Sequence, residues 1–246
     1  MVITKDGIKE GKDLARTRKP TPTKAIILKS ASDLFFEKGF SETTATEVCQ
    51  RANVSTGNLT FYFPTKEHIL ADLVKMMCDF QWREMENRVD EGKSSLLAYC
   101  LELTTMVAVS EEVPQMEDFF VAAYVHQIPL ELIRANDVEK IKQVFEAYTE
   151  GWSDEKFIEV EALISGIEYA TLSNTEHSAS VEHRIEGALN TIMMLFGVPE
   201  EIRRMKIAKV LAMDYRAIGR MVYADFEKYV REAHEHALEE ILKNRK

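Results

Sequence analysis

The chain has 246 residues, with 46% hydrophobic and 29% charged residues and only 6 prolines and 10 glycines. That length allows one large domain or two smaller ones, and the balance is that of a water-exposed globular chain. No apolar run approaches the roughly 20 residues needed to cross a bilayer, and the charged stretch Met1 to Lys19 has no apolar h-region of a signal peptide. Cys49, Cys78 and Cys100 are odd in number and widely spaced, which fits reduced thiols in a cytoplasmic protein better than a disulfide framework or a metal site.

The net charge of −10 is unevenly divided. Residues 1–70 hold 11 Lys and Arg against 8 Asp and Glu, and the remainder holds 20 against 33. Lys12, Arg16, Arg18, Lys19, Lys24 and Lys29 are opposed within their stretch only by Asp13. A basic arm over residues 1–20 suits attraction to phosphates, while the acidic remainder would be repelled by them. A solvated tail is the competing reading.

The first helix is expected to open with Thr21 as N-cap and Pro22 in the first turn, and to end at Gly39. Ile27, Ala31, Leu34 and Phe35 give it one apolar face. Thr44 and Glu47 form a capping box, placing a second helix over Thr44 to about Arg51. Asn53 stands at a sharp turn and tolerates the left-handed conformation. Ser55 then caps a third helix, Thr56 to about Tyr62. Val48, Val54 and Leu59 form the apolar seam of what reads as a helix-turn-helix, whose second helix can enter a DNA major groove.

A fourth helix from Thr65 to about Asp90 carries Ile69, Leu70, Leu73, Met76, Met77 and Phe80, and links this small unit to the rest of the chain. Further helices are expected from Ser94 to Ser110, from Pro114 through Val125, and from Pro129 to Gly151 with a break near Asn136. Two more run from Ser153 to Ser173 and from Val181 to Phe196. Pro199 opens a long amphipathic stretch to about Asn244, in which Gly219 is a weak point. The fold class is all-α: a three-helix helix-turn-helix domain over 21–70, joined by a linking helix to a helical regulatory and dimerisation domain over 71–246.

From about Thr23 to Leu70 the chain resembles the DNA-binding domain of the TetR family of bacterial transcriptional regulators. The resemblance rests on Ala31, Leu34-Phe35, Gly39-Phe40, Thr43-Thr44, Ala52-Asn53-Val54-Ser55, Gly57-Asn58-Leu59, Tyr62-Phe63 and Lys66-Glu67. Asn53 stands where the family has Gly. Thr60 stands where it has Tyr, leaving that tyrosine's phosphate contact without a counterpart. The resemblance implies a homodimer built by the helices at about 153–173 and 181–196. Ala162, Ser165, Gly166, Ala170, Ala188 and Ile192 would permit close helix approach there, although burial within one chain explains them equally well. Residues 199–246 extend past the common family pattern, either to wrap the regulatory domain or to enlarge the dimer contact.

The expected chemistry is recognition of a double-stranded DNA operator. Thr43 and Thr44 at a helix N-terminus, and Lys66 in the first turn of the fourth helix, are candidates to hold phosphates. A lysine at that end opposes its own helix dipole, which argues against a purely structural role. Tyr62 can donate to the backbone, and Ser55, Thr56, Asn58, Thr60 and Phe61 lie on or near the recognition helix. Asn58 can read adenine and Phe61 a thymine methyl. Tyr124, His126 and Glu168 are candidates to line an effector pocket, because polar groups in apolar helices need partners.

No Gly-rich phosphate loop, GxSxG, CxxC or HExxH is present, so no catalytic residue, cofactor or metal site is expected. His234 and His236 point to different sides of their helix. The reading is a small-molecule-responsive regulator, a repressor in its simplest form. A DNA-binding protein whose C-terminal domain binds a protein partner is the alternative.

Overall fold

The computed structural model describes residues 21–89 and 95–243. The basic arm expected over residues 1–20 lies outside them. Eleven α-helices and no strands occur among the described residues.

α1 (Pro22–Lys38), α2 (Ala45–Ala52) and α3 (Thr56–Tyr62) form the N-terminal unit. Its start and stop signals behave as the sequence dictates. The Thr21 hydroxyl accepts from the Lys24 amide at 3.2 Å with Pro22 in the first turn, and α1 ends on Gly39 at φ 94°. The Thr44–Glu47 capping box is complete, and Asn53 takes the left-handed conformation at φ 51°. Val48 and Leu59 are buried between α2 and α3, with Val54 packed against them.

α4 (Lys66–Asn87) leads to the larger helical domain and spans the boundary expected at residue 70. There α5 (Leu96–Glu112) is buried on nearly every side and packs against α4, α6, α8, α9, α10 and α11. A helix apolar all round belongs in a core rather than at a surface. Around it lie α6 (Pro114–Val125), α7 (Gln127–Val144), α8 (Asp154–Leu172), α9 (Val181–Leu195), α10 (Glu200–Leu211) and α11 (Tyr215–Lys243).

Three expectations are corrected. α7 starts at Gln127, ahead of Pro129, and runs through Asn136 unbroken. Pro129 falls in the first turn, where a missing amide costs no helical bond. α4 stops at Asn87, short of Asp90. The stretch after Pro199, expected as one run, divides at residues 212–214, with the Asp214 carboxylate accepting from the Ala217 amide at 3.2 Å to start α11. Gly219 lies inside α11 where it crosses α5. A Cβ there would stand 2.9 Å from Val109 Cγ2 and 3.1 Å from the Thr105 carbonyl oxygen.

Residues 199–243 do more than either role expected of them. α10 packs on α5 and α9, whereas α11 lies across α5 and α4 and continues onto α1. Phe226 meets Phe36 of α1 and Phe80 of α4, with ring centroids 6.0 and 5.6 Å apart, and Arg231 Nη1 reaches Asp33 at 2.8 Å. The C-terminal helix thus ties the N-terminal unit to the regulatory core.

Candidate functional site

The outer surface of α3 is polar, uncharged and exposed. Thr56, Gly57, Asn58 and Thr60 face solvent, and Phe61 is 58% exposed with its ring edge-on to Tyr62 at 5.0 Å. The Ser55 hydroxyl accepts from the Asn58 amide at 3.2 Å and Thr60 donates to the Thr56 carbonyl at 3.1 Å, so both shape the helix itself. The Asn58 side chain and the Phe61 ring remain exposed on the outer face of α3. Tyr62 is half-buried against the core.

The candidate phosphate contacts divide. Thr43 is buried, and its hydroxyl donates to the Gly39 carbonyl at 2.7 Å. Thr44 is exposed, but its hydroxyl and amide both donate to Glu47 Oε2, at 2.7 and 2.9 Å. Lys38 at 2.6 Å and those Thr44 contacts hold the Glu47 carboxyl down at about 2. Lys66 turns back into the protein. Its ammonium donates to the Phe40 and Thr43 carbonyls at 2.6 and 2.8 Å and stands 4.1 Å over the Phe40 ring. The helix dipole argued against a purely structural role for this lysine, and the structure gives it a structural one, since it gathers the carbonyls of the α1–α2 turn. Desolvation lowers its pKa.

That same turn is gripped from the other domain. Asp118 of α6 accepts from the Ser41 amide at 2.8 Å and from the Ser41 hydroxyl. His126, at the end of α6, does not line the internal cavity as expected. Its ring lies edge-on to Phe40 at 5.4 Å, with Nδ1 3.9 Å from Glu67. His126 belongs to the domain junction because α6 has ended and carries it outward from the apolar face.

Tyr124 and Glu168 do meet, in a cavity of about 40 Å3 enclosed by α4, α5, α6, α7 and α8. Tyr124 donates to Glu168 Oε2 at 2.8 Å, and the Tyr99 hydroxyl lies 3.4 Å from Oε1. Phe119, Phe120, Met77 and Met106 supply apolar wall. The sequence reading missed Tyr99, Glu102, Asp137 and Lys140. Lys140 Nζ stands 3.0 Å from both Glu102 and Asp137. Glu102 was legible as a lone acid within the apolar run Leu96 to Val109.

Burial, and next the field of Asp137, push the Glu168 carboxyl up to about 8. An acid protonated in the folded state and ionised when unfolded makes the folded state bind more protons, so stability falls as pH rises from about 4.5 to about 8. Glu168→Gln is expected to flatten that segment. The difference between native and variant unfolding free energies should shrink from pH 5 towards pH 8 by on the order of a few kcal/mol. Urea melts at intervals of half a pH unit measure it, and a constant difference would contradict the burial assigned to Glu168.

Residues 27–73 match the family model of bacterial regulatory proteins, tetR family. The HTH-type transcriptional regulator RutR of Escherichia coli O157:H7 is 27% identical over 138 residues, covering 56% of this chain and 65% of RutR. The HTH-type regulator YuxN of Bacillus subtilis (strain 168) is 29% identical over 94 residues, 38% of this chain and 31% of YuxN. The chain thus spans less than two thirds of the length of these curated relatives. Among solved structures, RolR in complex with resorcinol superposes with a TM-score of 0.57 at 17% identity, over 75% of this chain and 92% of RolR. Thermus thermophilus FadR in complex with lauroyl-CoA gives 0.52 at 18%, over 69% and 93%. No helix among the described residues is long and apolar enough to cross a membrane. Residues 27–73 thus carry the helix-turn-helix of the bacterial regulatory proteins of the tetR family, and the chain shares its all-helical fold with RolR and FadR.

Proposed function

We propose that the chain binds a pseudo-palindromic operator as a homodimer, acts as a repressor, and is released when a small molecule enters the cavity around Glu168. The observation that carries this is the double duty of α6. One face of α6 supplies Phe119, Phe120, Ala123 and Tyr124 to the cavity, while Asp118 holds the turn that leads into α2. A ligand that shifts α6 against α5 and α8 pulls on that turn. It thereby biases the spacing of two recognition helices that must sit about 34–36 Å apart on DNA. The cavity favours a small-molecule effector over a protein partner.

The dimer reading is supported by an exposed apolar stripe. Ile158 and Leu163 on α8 and Met194 on α9 are 58%, 52% and 54% exposed, and Ala162, Gly166 and Gly187 leave room for close approach. Ser165, Ala188 and Ile192 are buried within the single chain and take no part. Placing two glutamates in the stripe, Ile158→Glu with Leu163→Glu, is expected to give a folded monomer by sedimentation velocity. A dimer that survives the pair would move the interface elsewhere.

The operator reading is tested by fluorescence anisotropy against DNA from immediately upstream of the gene, at two salt concentrations. Tight, sequence-dependent and salt-sensitive binding is expected. Asn58→Ala should cost about 1–3 kcal/mol on that DNA and little on random DNA. Affinity no greater than for random sequence would count against an operator there.

A further inference from the structure

We propose that the cavity around Glu168 takes an organic cation, a compact amine with an apolar or aromatic body, whose ammonium pairs with the Glu168 carboxylate. The proposal rests on the reading of this cavity as the effector site and names the class of ligand.

Charge is the first argument. Glu102, Asp137 and Glu168 line the cavity against the single base Lys140. Lys140 Nζ is already 3.0 Å from both Glu102 and Asp137, and no ion pair reaches Glu168 among the described residues. A buried carboxyl without a counter-charge is held protonated, and a cation brought beside it recovers the ionised form. An anionic ligand would instead enter beside three acids.

Shape and surface are the second argument. The rings of Tyr99, Phe119, Phe120 and Tyr124 form much of the wall, and aromatic faces attract ammonium groups, more strongly where water is excluded. The Tyr99 and Tyr124 hydroxyls already point at the two Glu168 oxygens and fix the carboxylate in place.

Access and room are the third. An open groove along α4 and α7 shares Cys78 and Lys140 with the cavity wall, giving a route from solvent. The present volume of about 40 Å3 admits only water-sized occupants, so the ligand must displace side chains. Met77 and Met106 separate the cavity from a smaller one beneath α11, and methionine repacks readily. A compact amine fits this limit better than a long one.

The groups facing Glu168 are Tyr99 and Glu102 from α5, Tyr124 from α6, Asp137 and Lys140 from α7, and Cys78 from α4. Lys140 keeps its proton because Asp137 and Glu102 oppose its desolvation, and burial keeps both tyrosines neutral. Burial also raises the Glu102 carboxyl, but Lys140 already stands 3.0 Å from it, which leaves Glu168 as the acid whose proton a bound cation displaces. Amine affinity should rise as pH goes from about 6 to about 8 while the alkylammonium, like that of lysine near 10.4, stays charged.

Isothermal titration calorimetry of the full chain tests this with three probes of similar size: 2-phenylethylamine, 2-phenylethanol and 3-phenylpropionate. The amine is expected to bind about tenfold or more tighter than the alcohol, with the carboxylate weakest. Titrations in two buffers of different ionisation enthalpy should reveal proton release approaching one per amine near pH 7, a readout that needs no variant. Glu168→Gln should erase the preference for the amine over the alcohol. An amine bound no tighter than the alcohol, or an amine preference that survives Glu168→Gln, overturns the cationic class. An equal loss of amine and alcohol binding in Glu168→Gln would retain the cavity as a ligand site while rejecting the cation, whereas carboxylate binding should strengthen as one repelling acid is neutralised. Failure of all three probes to bind overturns the cationic proposal. If a broad library also neither binds nor releases operator, the effector reading itself falls.

Discussion

Replacing Phe226 with alanine is expected to lower the unfolding free energy by about 3–5 kcal/mol, the range for emptying a fully buried aromatic site. Phe226 has no exposed surface and stands between three elements, touching Phe36 of α1 and Phe80 of α4 while lining the small cavity against α5. Neighbouring contacts cannot close the gap without moving a helix. Phe80 also stacks on Tyr229, and Phe36 meets Tyr223 edge-on. The effect should not be confined to global stability. Arg231–Asp33 and Lys29–Glu235 are polar contacts of α11 with α1, and their partly exposed charges contribute at most about 1 kcal/mol each. Most of the grip of α11 on the DNA-binding unit is therefore apolar and centred on Phe226. Hydrogen exchange should show α1 amides opening at lower free energy in the variant, with α8 and α9 changed less. A loss below about 1 kcal/mol, or no change in α1, would mean that α11 merely rests on the N-terminal unit.

This role for α11 was not legible in the sequence, although the helix itself was. Val222, Phe226 and Val230 recur at helical spacing and announce an apolar face. Periodicity says that a face is buried and not against what, so wrapping the regulatory domain and enlarging a dimer were both open. The N-terminal unit was read closely because its signals are local. A capping box, a left-handed Asn53 and a proline in a first turn act within four residues. Lys66 shows the limit of that locality. Its dipole argument was sound for an isolated helix, yet the carbonyls of Phe40 and Thr43 come from a turn distant in sequence. The cavity was half legible for the same reason. Tyr124 and Glu168 stood out as polar groups on apolar helices, but their meeting, the addition of Tyr99 and the departure of His126 to the domain junction depend on how α6 packs.

Gly219 gives a case where a local signal and a packing signal predict opposite signs. Were it only a weak point in α11, Gly219→Ala would stabilise by about 1 kcal/mol and Gly219→Val by a few tenths, through helix propensity alone. The crossing with α5 reverses this for the larger side chain. The Cβ position already stands 2.9 Å from Val109 Cγ2 and 3.1 Å from the Thr105 carbonyl oxygen, and the second of these belongs to backbone in the most buried helix of the fold. For alanine, a small shift of Val109 offsets most of the propensity gain, so the net change should be near zero. Valine adds two methyl groups to the contact and must push α11 away from α5, at a cost of about 2–3 kcal/mol. The same displacement would lift Phe226, further along α11, from Phe36 and Phe80. Gly219→Val is therefore expected to lower Tm together with the protection of α1 amides, a pairing that a defect confined to α11 would not produce. Stabilisation by both substitutions would show that the helix passes α5 with room to spare, and the clamp would then have to be rebuilt around Phe226 alone.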